Sequence, residues 1–178
     1  MGFSVSASAA IIFISFLMVA GTLYTAWDNA YANVQAAQEY WYEMRLSQLN
    51  TLSSLDAENS SVSTGTDSGG NQYYNLTLAI QSNGVTLYVP HWSGTYDGKL
   101  VTLNNVDDDN VGFLSDYGYL LPGNSIQLNV TYIPLNENEH SIKITFDNGC
   151  WLLINWYYNT TEKVVYVNTS RGCPMEVS

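Results

Sequence analysis

YYNLTLAIQSNGVTLYV, residues 73–89, decides the fold class. Tyr74, Leu76, Leu78 and Ile80 alternate with polar or small residues, which is the period of a half-buried strand, and Asn83-Gly84 supplies a turn. The same period recurs toward the C-terminus. Pro90 to Gly94 reads as a loop, Asp97-Gly98 as a turn before a short strand through Leu100 and Val101, and NNVDDDNVG (104–112) as a polar loop. Leu121-Pro122-Gly123-Asn124 turns into SIQLNVTYI, in which Ile126, Leu128, Val130 and Tyr132 are expected to share a face. SIKITF, the turn Asp147-Asn148-Gly149, CWLLINWYY and KVVYVNT follow. About seven short antiparallel strands with regular turn signals and no further helix predict a β-sandwich over residues 72–178.

Upstream, residues 53–71 (SSLDAENSSVSTGTDSGGN) are almost free of large apolar groups and predict a flexible linker. Before it, Val34, Ala37, Trp41, Met44, Leu49 and Leu52 recur at helical steps, so a helical stalk is expected to about residue 52. A lone amphipathic stalk is unstable, so its stripe should rest on its own domain or on a second copy or partner. Residues 1–27 contain no charged side chain and no proline. At ~1.5 Å per residue, a helix of ~20 residues crosses a ~30 Å hydrocarbon layer, and Ala7 to Trp27 has that length. Tyr24 and Trp27 suit an interfacial anchor. A retained transmembrane helix over about 7–27 is expected rather than a removed signal peptide, because no Lys or Arg comes before Arg45.

Acids outnumber bases 16 to 5, for a net charge of −11, which repels nucleic acid and anionic lipid headgroups. Five N-x-[S/T] sites, at Asn59, Asn75, Asn129, Asn159 and Asn168, could accept glycans outside the cytoplasm. Cys150 and Cys173 lie in the same distal part, as expected for a structural disulfide in an oxidising space. Together these place the C-terminal part outside the cell. In the strand after Cys150, Trp151 and Leu153 point one way and Leu152, Ile154 and Trp156 the other. A sandwich strand has one core face, so one set is expected to be covered by the tail 174–178 or to form a partner-binding face.

Catalytic signals are absent: no nucleophile motif, phosphate loop or zinc spacing occurs, and no cofactor is implied. His91 and His140 are expected at surface or turn positions. Asp107-Asp108-Asp109 with Asn110 could offer oxygens to Ca²⁺, but a solvated acidic loop is the commoner outcome of such a run and no metal site is expected.

The opening MGFSVSASAAIIFISFLMVAGTLYTA resembles the N-terminus of the archaellum accessory protein FlaF (ArlF) family, whose members open Met-Gly-Phe-Ser and continue Ala-Ile-Ile-Phe. LTLAIQSNGVTLYV, LLPGNSIQLNVTY and SIKITFDNGC are similar to that family's domain, so the resemblance covers nearly the whole chain. The disulfide and the aromatic-rich CWLLINWYY depart from it. The resemblance implies a non-enzymatic stator component with an immunoglobulin-like domain between the cell membrane and the S-layer. Its implied partners are S-layer protein, a FlaG-like protein and a second copy of the chain. The alternative is a filament subunit of the type IV pilin kind, against which Ala7 stands where a mature pilin usually has an acid.

Overall fold

The computed structural model describes residues 2–103 and 110–174, with side chains from residue 7 onward other than those of 59 and 60. The chain forms two compact units, Met1–Arg45 and Leu46–Ser178.

The first unit is purely helical. Helix α1, Gly2–Ser54, continues past it to the start of the sheets. Residues 7–44 are exposed on every side, and the apolar stretch from Ala7 is long enough to cross a membrane. Its few hydroxyls are satisfied within the helix: Ser15 Oγ donates to Ile11 O at 2.8 Å, and Thr22 Oγ1 donates to Val19 O at 2.9 Å. Such internal bonds let polar side chains sit in hydrocarbon at little cost. Val34 and Trp41, from the expected stripe, are exposed.

In the second unit the strands are β1 Leu55–Thr66, β2 Gln72–Ser82, β3 Leu87–Tyr88, β4 Ser93–Tyr96, β5 Lys99–Val101, β6 Val111–Phe113, β7 Tyr119–Leu120, β8 Ser125–Pro134, β9 His140–Thr145, β10 Trp151–Asn159 and β11 Val164–Gly172. They form a four-stranded sheet, β1-β2-β8-β6, a five-stranded sheet, β11-β10-β9-β4-β5, and the small pair β3-β7. This is an antiparallel β-sandwich. Leu76, Leu78, Ile80, Ile126, Leu128 and Val130 from one sheet and Ile142, Ile144, Leu152 and Ile154 from the other are buried, the alternation that a two-sheet core requires.

Residues 53–71 are not a linker. Helix α1 ends at Ser54, and β1 follows at once, paired antiparallel with β2 from Leu55↔Ser82 to Thr66↔Gln72. A strand so poor in apolar residues holds because Leu55 and Ala57 are buried anchors and its backbone hydrogen bonds are made to β2. The turn beyond it is fixed by Asp67, whose Oδ1 accepts the amides of Gly69 and Asn71 at 2.8 Å each. Hydrogen bonding by the Asn71 side chain, then by backbone amides, holds the Asp67 carboxyl below the usual range. The sandwich therefore begins at Leu55 rather than at residue 72.

Three smaller corrections have local causes. Val111 and Gly112, expected to end the polar loop 104–112, instead open a buried strand, Val111–Phe113, on β8. The Asn83-Gly84 turn does not fold β2 back on β3, since β3 pairs with β7. Instead the turn lies against the end of α1: Asn83 N donates to Ser54 O at 3.0 Å, and a Cβ on Gly84 would come within 2.8 Å of Ser54 Cβ. Tyr132 does not share the inner face of Ile126, Leu128 and Val130, because a bulge sets two β8 residues, Thr131 and Tyr132, opposite Asn75. Tyr132 is turned outward and Ile133 takes the buried place.

The helix end is locked to the sandwich by polar contacts. Gln48 Nε2 donates to Asn148 O at 3.0 Å, and Asn148 Nδ2 donates to Thr51 Oγ1 at 2.9 Å. Gln48 and Thr51 are buried. At another corner Arg171 donates to Leu55 O and Thr169 Oγ1 to Asp56 Oδ1, joining β11 to β1.

Candidate functional site

Strand β10 sorts the expected partner face into two different environments. Leu152, Ile154 and Trp156 are core residues, so they are not a docking surface. Trp156 is 1% exposed; its indole N–H donates to Tyr74 Oη at 3.2 Å, and its ring lies parallel to that of Tyr96. The reason is register: β9 and β11 flank β10, so its even positions face the opposite sheet. Trp151 and Leu153 lie on the outer face and are half-buried. The Lys143 ammonium sits 4.9 Å above the Trp151 ring, and a Cβ on Gly172 would come within 2.5 Å of that ring. Lys143 and β11 thus provide cover; residues 175–178 of the tail, expected to do so, lie outside the described residues.

The open part of that outer face is further along the strands. Tyr157 and Tyr166 are cross-strand partners with ring centroids 5.3 Å apart and planes 18° from parallel. Beside them Asn155 pairs with Asn168. With Glu139 and Val167 these residues line a cleft of about 550 Å³. The Tyr166 hydroxyl donates to a Glu162 carboxylate oxygen, which, ahead of the charge itself, holds the phenol proton on. Tyr157, Tyr166 and Asn155 carried no sequence signal beyond strand alternation.

Cys150 and Cys173 are disulfide-bonded, with Cys150 buried in the core. Of the sequons, the Asn59 side chain lies outside the described residues. Asn75 Oδ1 accepts the Tyr132 amide at 2.9 Å, Asn129 Oδ1 accepts the Thr77 hydroxyl at 3.3 Å, and Asn159 Oδ1 caps the amides of Thr161 and Glu162 at 2.9 and 3.0 Å. Asn168 is exposed.

His140 is not the surface histidine its sequence neighbourhood suggested. Its ring centroid lies 6.1 Å from that of Tyr96 and 6.0 Å from that of Trp156, and Nδ1 is 2.7 Å from Asp97 Oδ2, a partner 43 positions away. Nε2 is buried without a hydrogen-bond partner among the described residues. Burial, then the Asp97 charge, pushes the Tyr96 phenol upward, and burial pushes Tyr74 to about 12 against a hydrogen bond from Trp156 that pulls the other way. His91 packs at the edge of the Tyr88 ring. Among the described residues no cluster of three or more His, Cys, Asp or Glu could hold a metal. Asp107-Asp108-Asp109 lie outside them.

The described chain is thus one long apolar N-terminal helix followed by a cystine-bridged antiparallel sandwich. A family model for archaeal-type flagellin matches residues 2–156, and the chain belongs to that family. The family is structural, and its archaellum components are surface-associated. No curated protein matches the chain.

Proposed function

We propose that the chain is a stationary component of the archaellum machinery, of the FlaF kind, anchored in the cell membrane as a single-pass protein. Its sandwich reaches outward to hold S-layer protein, alone or with a FlaG-like partner. The observation that carries this reading is the helix. No charged residue occurs from Gly2 to Trp27, the side chains from Ala7 onward are exposed on all sides, and Ala7 occupies the place of the acid usual in a mature pilin. An all-round apolar helix of this length matches lipid. A motor that turns a filament needs a part held against counter-rotation, and an anchor with an outward-facing binding head meets that need. The soft linker expected from sequence lends no support, because residues 55–66 are a strand.

A filament subunit is the second reading, favoured by the family match itself. Crosslinking of the full chain in intact cells, followed by identification of the attached neighbour, separates the two. The stator reading expects S-layer protein. Recovery of repeated copies of this chain, with Met1-Gly2 removed and Phe3 methylated, would overturn it in favour of the filament.

A further inference from the structure

The cleft on the outer face of β10 and β11 contains a sequon within its own wall. Asn168 begins Asn168-Thr169-Ser170, lines the cleft, and is exposed. Tyr166 lies two residues earlier on the same strand, hence on the same face, roughly 7 Å away. Tyr157, its cross-strand partner, doubles the aromatic surface. The other sequons with described side chains differ: Asn75, Asn129 and Asn159 are half-buried, whereas Asn168 is exposed. We propose that Asn168 carries an N-linked glycan and that the cleft seats its first sugar.

The chemistry of the walls specifies that sugar's class. The C–H face of a pyranose ring packs on the electron-rich face of a tyrosine, while its hydroxyls need amide and carboxylate partners. Asn155 and Glu139 supply both kinds at the cleft edge. No Lys or Arg lines it, and Glu139 and Glu162 both stand near Tyr166. An acidic or sulfated first sugar would meet like charge there, so a neutral hexose or N-acetylhexosamine is the occupant. The glycan shields an aromatic pair that would otherwise be wet, and it leaves the Asn amide oxygen free, because attachment is through Nδ2.

This inference rests on the head lying outside the cytoplasm, and the experiment separates the two. Trypsin cleavage after Lys163 and Arg171 releases Val164–Arg171, a peptide with Asn168 as its one sequon. The full chain is purified from the cells that make it, and this peptide is mapped by mass spectrometry. Intact cells are treated in parallel with a membrane-impermeant amine reagent that reads Lys99. The expected result is a neutral sugar attached at Asn168, lost in Ser170→Ala. The melting temperature should fall by about 3 °C in Ser170→Ala, and that fall should vanish when Tyr157 and Tyr166 are both alanine. An unmodified peptide with Lys99 labelled overturns the inference while leaving the outward head in place. An unmodified peptide with Lys99 unlabelled removes both. An acidic first sugar, or an equal fall in both backgrounds, overturns the seating.

Discussion

The amide of Tyr132 donates to the side-chain oxygen of Asn75 at 2.9 Å, and Tyr132 holds φ at 55° to do so. A bulky residue in the left-handed region stores strain of order 1–3 kcal/mol and persists only where surroundings compel it. Here the compelling groups are a side chain from the neighbouring strand and the Tyr73 ring, whose centroid is 4.8 Å from that of Tyr132. Asn75→Ala should lower unfolding free energy by about 1–2 kcal/mol. Tyr132→Gly, which relieves the backbone, should cost less than Asn75→Ala despite removing a whole ring. Urea titrations of both variants check the ranking.

Trp156 tests the assignment of β10. As a core residue with a buried hydrogen bond to Tyr74, its replacement by alanine should cost about 3–5 kcal/mol. Trp151→Ala, on the outer face, should cost clearly less. Comparable losses in chemical denaturation would contradict the orientation of the strand.

Alkaline pH should destabilise the head through Tyr74. Its folded value is raised from 10.0 to about 12, so the folded state binds its proton more tightly than the unfolded state. The contribution is fully present below pH 10 and is lost as pH rises toward 12. Tyr96, raised in the same direction by burial, adds to the loss. Denaturation midpoints recorded from pH 9 to 12 should fall, and the fall should be shallower in Tyr74→Phe.

The disulfide spans 23 residues, and a loop of that length is worth about 3 kcal/mol in the chain-entropy account. The Cys150→Ser, Cys173→Ser double variant should be less stable by that amount, melt at a lower temperature and still fold, because the flanking strands are paired independently of it. Thermal scans with and without reductant should differ for the parent chain and coincide for the variant.

The helix end offers a coupling measurement. The Asn148 side-chain amide donates to Thr51 Oγ1 across 97 residues of sequence, so Thr51→Ala and Asn148→Ala should be non-additive by about 1 kcal/mol. Strict additivity would mean that the contact does not hold the helix end.

The sequence by itself determined whatever depends on local periodicity. The uncharged run to Trp27 dictates a helix suited to lipid, and the alternation through Tyr74–Ile80 dictates a strand with one buried face. The Cys150–Cys173 bridge was legible because only two cysteines exist. Tertiary structure decided the rest. Residues 55–66 become a strand through pairing with β2, a long-range contact that composition cannot signal. The bulge at Tyr132 inverts a face that strict alternation assigned to the core, and Asp97 reaches His140 from 43 positions away. Which side of β10 is buried depended on the sheets packed against it, because a strand apolar on both faces carries no orientation of its own.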